Sequence, residues 1–336
     1  MDISVVRGDA LDVAADVLIL KHAQALYGVD AKVVSRLERH GIDLAAPGRL
    51  PSPGAFRLVE SGGLLGAAAV LFIGVAELGR FGYAEIREFA RRSLAVLADT
   101  LPAAIDVAMT THGAGFGLDE TEAFRAEVAG IVEALESAEH PKMLRRIVIV
   151  EHDAGRVQRL QRQLDEIFPG GIASIRSAMQ QPAMALQSDA LRTAGAESRA
   201  KAHVFVAMPF AKEFDDRFHY GIHTAIRSAG YLCERADMAS FVGDVLAWVK
   251  DRIDTADLVV ADLTGANPNV YLEVGYAWGR GLPTILLASD EKDLLFDVRG
   301  QRCLVYMNSI RTLEQQLTNE LAKLAAPAVG TRMRRP

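Results

Sequence analysis

The last third of this 336-residue chain alternates short apolar runs with helical stretches, and this alternation limits its fold more than any other feature. Strands are predicted at 203–208, 231–234, 258–262, 284–288 and 303–306, and helices at 214–229, 242–255, 270–280 and 310–324. Because strands joined through helices form right-handed crossovers, they lie parallel in one sheet. We therefore predict an α/β domain that has helices on both faces of a parallel sheet and binds its ligand at the carboxyl ends of the strands.

The first half of the chain also mixes strands and helices, but less regularly. Strands are predicted at 3–6, 16–20, 70–75, 105–110 and 147–151, and helices at 31–40, 83–99, 121–135 and 156–167. A chain of this length suits two domains of ordinary size. We predict α/β domains at 1–169 and 203–326, joined by an exposed, partly helical linker at 170–202 and followed by a disordered tail at 327–336.

Composition argues against several classes of protein. Lys and Arg number 37 against 43 Asp and Glu, so the net charge of -6 gives no basic excess for nucleic acid. Cys233 and Cys303 match no metal-ligand spacing, which predicts reduced thiols, no metal site and no cofactor. The start of the chain lacks a signal-peptide pattern, and no uncharged apolar stretch is long enough for a membrane helix. We therefore expect a cytoplasmic protein without a membrane partner.

Polar and aromatic residues gather at three predicted strand ends of the second domain. The carboxyl ends of parallel strands meet at one edge of a sheet, so we expect these residues to converge on a ligand. Arg235 is expected to pair with a phosphate or to be an ordinary surface arginine. The candidates are Met208, Pro209 and Phe210 after the first strand, Arg235 and Asp237 after the second, and Asp262, Thr264, Gly265, Asn267 and Asn269 after the third.

Glu273 follows the third of these strand ends and has apolar neighbours. The preceding Asn267, Pro268 and Asn269 predict a turn and a helix cap, which places Glu273 in about the first turn of the helix. A carboxylate there can attack the anomeric carbon of a sugar or stabilise the cation that develops on it. The alternative is a first-turn glutamate that the helix dipole favours. Nearby Tyr276 is expected to stack on a base or to pack in the core.

The run ADLVVADLTGANPNVYLEVGYAWGRGLPTILL resembles the nucleoside 2-deoxyribosyltransferase family and its TIR-like nucleotide-binding relatives, some of which are N-glycosidases of phage defence. VFVAMPF, FDDRFHYGIHTAIRSAG and CERAD resemble the same group, so the resemblance covers residues 203–324. It implies a flavodoxin-like sheet, a nucleoside or nucleotide ligand, and Glu273 at the nucleophile position. Asn267 stands where the family usually carries an acidic residue. Another acid would then protonate the leaving base, and Asp237, Asp251 and Asp257 are the candidates, each with a capping or solvated role as its alternative.

The segments GDALDVAADVLIL and MTTHGAGFGLDETEAFRAEVAGIVEAL resemble macro domains and the macro-like N-terminal domain of leucyl aminopeptidases. The resemblance implies a three-layer α/β domain. It also implies a loop whose backbone N–H groups cradle the diphosphate of ADP-ribose, and Gly113, Gly115 and Gly117 match that loop loosely. Lys21, His22, Ala23 and Gln24 replace the asparagine-rich segment usual in macro domains. The alternative is a purely structural or oligomerising domain, so a homo-oligomer stays open.

Two functions follow from these patterns. The first is an enzyme that cleaves or transfers the N-glycosidic bond of a nucleotide or nucleoside, with NAD among the candidate substrates and antiphage defence as a candidate role. The macro-like domain would then sense a ligand or regulate the enzyme. The second function is a non-catalytic nucleotide-binding sensor or adaptor that signals by assembly. Base release that depends on Glu273 distinguishes the two.

Overall fold

The computed structural model describes residues 1–44, 46, 48–113, 117–168, 190–235 and 245–325. The chain divides into two compact units, of which the first extends to Ala200 and the second begins at Lys201. Several predicted features lie outside the described residues: most of the predicted linker, the predicted tail, Gly115 and Asp237. Each unit contains its own β-sheet, as the sequence predicts, and the mixed α/β fold class is confirmed.

A six-stranded sheet forms the centre of the first unit. Its strands are β1 (Asp2–Arg7), β2 (Ala15–His22), β3 (Phe56–Glu60), β4 (Ala67–Gly74), β5 (Asp106–Thr110) and β6 (Arg146–Glu151). Their spatial order is β1-β6-β5-β2-β4-β3. All neighbours are parallel except β3, which runs antiparallel to β4 at the edge. The strands β2, β4 and β6 are mostly buried apolar runs, as expected for the parallel part of a sheet that is covered on both faces.

Four helices of the first unit position its loops: α1 (Gly28–Glu38), α2 (Tyr83–Thr100), α3 (Glu120–Glu136) and α4 (Ala154–Ile167). Helix α1 buries Val33, Val34 and Leu37 in one core cluster with Leu18 and Leu20 of β2. The starts of α3 and α4 are fixed by aspartates whose carboxylates accept a backbone N–H of the first turn. These caps set where the preceding loops end.

Residues 190–200 differ from the predicted exposed linker because they pack on the first unit. Ala194 is fully buried, and its carbonyl accepts a hydrogen bond of 2.8 Å from Arg87 of α2. Ser198 donates to Glu122 of α3 at 2.5 Å. The small side chains of this segment allow the close approach, so the first unit extends to Ala200 and not to the predicted residue 169.

A five-stranded parallel sheet forms the second unit. Its strands are β7 (His203–Ala207), β8 (Leu232–Glu234), β9 (Leu258–Asp262), β10 (Thr284–Ala288) and β11 (Cys303–Val305). Their order, β11-β10-β9-β7-β8, is the doubly wound order of flavodoxin-like sheets. The order reverses between β7 and β9, and the carboxyl ends of these two strands therefore border the crevice where such sheets bind ligands.

Helices cover both faces of this second sheet. A π-helical segment (Arg217–His223) continues into α5 (Thr224–Ser228), and both lie on one face with α8 (Ile310–Ala325). Helices α6 (Val245–Thr255) and α7 (Pro268–Gly279) cover the other face and share a core cluster with β7, β9 and β10. In the part of the chain that the structure describes, no helix is both long and apolar enough to cross a membrane.

Candidate functional site

The carboxyl edge of the second sheet brings several predicted residues together. Met208 follows β7 and is buried, and its sulfur lies 3.7 Å from Nη1 of Arg235, which follows β8. The guanidinium carbon of Arg235 lies 3.9 Å from the centre of the Phe218 ring, close enough for a cation–π contact. Pro209 is buried, whereas Phe210 is 44% exposed. Arg235 is therefore held at the sheet edge by side chains from two other elements.

A buried polar network occupies the end of β9. The carboxyl group of Asp262 is fully buried. It accepts hydrogen bonds from the Thr264 backbone N–H at 3.1 Å and the Tyr306 hydroxyl at 3.0 Å, and it is hydrogen-bonded to the Thr264 hydroxyl at 2.5 Å. The two hydroxyls lie 2.9 Å apart, and the backbone N–H of Ser289 donates to Thr264. Burial raises the pKa of Asp262 above its ordinary value, although these hydrogen bonds oppose the shift. Sequence patterns did not single out Tyr306 or Ser289.

The turn after β9 forms the predicted cap of α7. Gly265 adopts φ +75°, and the Asn267 side chain accepts the backbone N–H of Asn269 at 2.9 Å, with Pro268 as the first helical residue. The prediction of an asparagine cap is confirmed. Glu273 is the sixth residue of α7 and lies in its second turn, one turn later than expected, because the helix begins at Pro268.

Glu273 lies in a cavity of about 340 Å³ between α6 and α7. Within the described residues its carboxyl group makes no hydrogen bond or ion pair. Removal from water disfavours the charged form, and burial raises the pKa of Glu273 to about 7. At neutral pH both protonation states are therefore populated. The rest of the lining is Leu246, Val249, Lys250 and Ile253 of α6 and Tyr271, Leu272, Gly275 and Tyr276 of α7.

Tyr276 borders this cavity, but its hydroxyl is already engaged. The hydroxyl donates to the carboxylate of Asp254, with distances of 3.1 and 3.0 Å to the two oxygens. The Lys250 ammonium lies 5.5 Å from the ring centre of Tyr276. The ring of Tyr276 therefore remains the part of this side chain that can contact a ligand.

Two of the predicted proton donors lie elsewhere. Asp257 precedes β9, and its carboxylate accepts the backbone N–H of His203 at 3.0 Å. It therefore caps the amino end of β7, at the sheet edge opposite to Met208 and Asp262. Asp251 is exposed on α6, and its carboxylate lies 3.8 Å from Arg252. Among the described residues that line the cavity, Glu273 is consequently the one carboxyl group.

Two glycines of the predicted phosphate-binding loop, Gly113 and Gly117, belong to the described residues. Gly113 has φ +86°, and a Cβ atom there would lie 2.9 Å from Ile86 and from Leu118. Gly117 has φ +89°. Both positions therefore favour glycine for its backbone conformation, and Gly113 also for its space. Asp119 follows and caps α3, accepting the backbone N–H of Glu122 at 2.8 Å.

Two buried ionisable pairs of the first unit were not predicted from the sequence. Lys21 of β2 faces Asp30 of α1 at 3.6 Å, and His112, just after β5, faces Glu127 of α3 at 3.1 Å. Burial raises the pKa of Asp30, and the charge of Lys21 opposes this shift. For the first pair, the sequence does contain a signal: Lys21 directly follows the apolar run DVLIL, where a buried charge needs a partner. Three or more His, Cys, Asp or Glu side chains in a metal-binding arrangement do not occur among the residues that the structure describes.

No protein-family model and no curated protein match the chain. Solved structures similar to it include a Trypanosoma brucei macrodomain in complex with ADP-ribose, at 20% identity over 48% of this chain and 69% of that chain, with a TM-score of 0.40. Another is an Oceanobacillus iheyensis macrodomain with ADP, at 14% identity over 49% of this chain and 90% of that chain, with a TM-score of 0.36. At these scores and identities the similarity assigns no function to the chain. The resemblance of the second unit to deoxyribosyltransferases has no support among these matches and stays a prediction.

Proposed function

We propose that the second unit cleaves the N-glycosidic bond of a nucleotide or nucleoside, with the Glu273 carboxylate facing the anomeric carbon of the sugar. The observation that carries this proposal is a carboxyl group without a protein partner, among the described residues, in a largely apolar cavity of about 340 Å³. That volume lies within the range of small-molecule sites. A strongly shifted carboxyl group in a cavity is also a feature of catalytic sites.

The chemistry follows from the poor solvation of Glu273. As the bond between C1′ and the base nitrogen breaks, its electron pair leaves with the base and positive charge develops on the sugar. A carboxylate that is partly shielded from water attracts this charge more strongly than an exposed one. Water then supplies the oxygen that bonds to C1′, either directly or after a covalent Glu273–sugar ester, and the base takes up a proton. The deprotonated carboxylate is therefore the active form.

Three features support this assignment. The sequence of 203–324 resembles the nucleoside 2-deoxyribosyltransferases and their relatives. The sheet of the second unit has the flavodoxin-like strand order that this resemblance implies. Glu273, at the position of the family nucleophile, lines a cavity and makes no ion pair with a described residue. For the first unit we propose a ligand-sensing or regulatory role, with Gly113 and Gly117 at its contact to a phosphate.

A second candidate is a non-catalytic nucleotide-binding sensor that signals by assembly. It is favoured by the lack of a second carboxyl group among the described residues of the cavity lining. The engagement of Asn267 as a helix cap favours it too, since this side chain stands where the family carries an acid. Binding without bond cleavage is what this candidate predicts.

Base release separates the two candidates. The purified protein is incubated with NAD, with nucleotides and with deoxynucleosides, and free base is measured for the wild type, Glu273→Gln and Glu213→Gln. Glu213 is an exposed glutamate of the same unit and serves as the matched control. We expect release by the wild type and Glu213→Gln and none by Glu273→Gln. Ligand binding without release by any variant supports the sensor, and release by Glu273→Gln contradicts the role of this carboxylate.

Antiphage defence is proposed from the family resemblance alone. It predicts that expression of the wild-type protein lowers phage plating, while expression of Glu273→Gln at the same level does not. Equal plating in both strains would remove this proposal and leave the enzymatic one to the base-release assay.

A further inference from the structure

Arg217 is held between aromatic rings at the carboxyl edge of the second sheet. Its guanidinium carbon lies 4.8 Å from the ring centre of Phe214 and 5.9 Å from that of Tyr306. Nη2 of Arg217 donates a hydrogen bond of 3.0 Å to the side-chain oxygen of Asn308. Arg217 is half-buried, so its neighbours fix the guanidinium while part of it stays accessible. A guanidinium held in this way keeps further N–H groups for a ligand.

The positive charge of Arg217 lacks a carboxylate partner among the described residues. Its neighbours in sequence, Asp215 and Asp216, form no ion pair with it. The buried Asp262 interacts with it electrostatically, but the oxygens of Asp262 accept hydrogen bonds from Thr264 and Tyr306. A partly buried cation without a counter-ion is unfavourable, and an anionic ligand offsets this cost.

Arg235 supplies a second guanidinium at the same edge. It lies over the ring of Phe218, four residues after Phe214 in a continuous helical segment. Both rings belong to the core cluster on one face of the sheet, so the two arginines lie against side chains of the same cluster. Arg217 comes after β7 and Arg235 directly after β8, and β7 borders the switch point of the sheet. The π-helix that begins at Arg217 is itself a feature frequent at functional sites.

We propose that Arg217, together with Arg235, binds the phosphate group of the ligand at the carboxyl edge of the second sheet. Planar guanidinium groups match phosphate oxygens with paired hydrogen bonds. The ligand class is then a nucleotide with a terminal monophosphate or diphosphate, and not a free nucleoside. Only the nucleoside part of this ligand rests on the proposed function, because the binding of phosphate does not depend on Glu273.

Calorimetric titration with inorganic pyrophosphate tests this site without a nucleoside. Arg217→Gln removes the charge and is expected to weaken binding by about tenfold or more, as for a lost charge-assisted hydrogen-bond pair. Arg302→Gln is the matched control, because it makes the same change in charge at the amino end of β11. It is expected to bind as the wild type does. Circular dichroism and thermal unfolding of each variant check that the fold is kept.

Asn308→Asp provides a second variant that keeps the side-chain shape. It places a carboxylate beside Arg217, where the amide oxygen now lies at 3.0 Å, and Asp tolerates the positive φ of this position. The new charge should compete with pyrophosphate and weaken its binding to a similar degree. Undiminished binding by both variants, or no binding by the wild type at millimolar concentration, overturns the proposal. Glu273→Gln should bind pyrophosphate normally, so loss of base release with intact binding bears on the proposed reaction alone.

Discussion

The hydroxyl of Tyr306 donates a hydrogen bond of 3.0 Å to the carboxyl group of Asp262, 44 positions earlier in the chain. Thr264 lies between them, 2.5 Å from Asp262 and 2.9 Å from Tyr306, so the three groups form a closed triangle. With an ionised Asp262, two hydroxyl hydrogens serve three contacts and one contact stays empty. With a neutral Asp262, the acid donates to the Thr264 hydroxyl, Thr264 donates to Tyr306 and Tyr306 donates to the other acid oxygen, so three hydrogens serve three contacts. Hydrogen-bond counting and burial, which raises the pKa of Asp262, both favour the neutral acid at this strand end.

A neutral Asp262 predicts that an amide replaces it well. Asp262→Asn keeps a donor and an acceptor and should change the free energy of unfolding by less than about 1 kcal/mol at pH 7. Thr264→Val leaves the Ser289 N–H without its acceptor and removes one of the three contacts of the acid, and it should cost about 2 kcal/mol. Urea unfolding measures both values. The reverse ranking, with Asp262→Asn the more damaging change, would show that Asp262 is ionised in the folded protein.

Local patterns were sufficient for the fold of the second unit. The apolar run LVVAD predicted the strand β9, and Asn267 and Pro268 predicted the start of α7. Both features depend on residues close in sequence. The partly exposed edge strand β3 was missed because its short run, FRLVE, has no distinctive periodicity.

The candidate site depended on contacts that local patterns do not contain. The cavity around Glu273 forms where Val249 and Ile253 of α6 pack beside α7. These two helices are separated in the sequence by the strand β9, so no local pattern around Glu273 predicts the contact. The position of Arg217 likewise depends on Tyr306, which belongs to the other end of the second unit. Residue types therefore identified candidate groups at the strand ends, whereas packing between elements distant in sequence decided which of these side chains lie in contact.

The half-buried carboxyl group of Glu273 predicts a stability that falls with rising pH. Its pKa in the folded chain, about 7, lies above the ordinary value of 4.5, so the folded state binds more protons between these pH values. Ionisation of Glu273 in the folded state therefore lowers the free energy of unfolding by up to about 3 kcal/mol, and this loss is complete above pH 7. Glu273→Gln should stabilise the protein by up to that amount at about pH 8 and by less than about 1 kcal/mol at about pH 5. Urea unfolding at both pH values measures this, with exposed Glu213→Gln expected to show no such difference.

The same group predicts the pH dependence of base release. The carboxylate is the active form, so kcat/KM should rise with pH around a midpoint near 7 and level off above it. Initial rates of base release at substrate concentrations well below KM measure this profile. A rate that falls as the pH rises through 7 would instead assign the protonated carboxyl group, acting as a general acid, to the reaction.

The buried pair of Lys21 and Asp30 predicts a strong asymmetry between single and double substitutions. Lys21→Met removes the cation that stabilises the buried Asp30 carboxylate. It should lower the free energy of unfolding by about 3 kcal/mol near neutral pH. Because burial raises the pKa of Asp30, this loss should grow as the pH rises and the carboxyl group ionises. The double variant Lys21→Met/Asp30→Leu should recover most of the stability. Thermal unfolding at several pH values tests this, and additive losses in the double variant would contradict it.

Replacing Gly113 by alanine should lower the free energy of unfolding for two separable reasons, the backbone conformation and the lack of space for a Cβ atom. Gly113→Ala forces a positive φ on a residue with a Cβ atom, and it drives that atom to 2.9 Å from Ile86 and Leu118. Gly62 also has a positive φ but no atoms within 4 Å of its Cβ position, so Gly62→Ala isolates the backbone part at about 1 kcal/mol. We expect Gly113→Ala to cost at least about 2 kcal/mol more, measured by urea unfolding. Equal losses would mean that the loop relaxes away from α2 and α3. Residue 113 would then need glycine for its backbone conformation alone, and a small side chain there would be compatible with the fold.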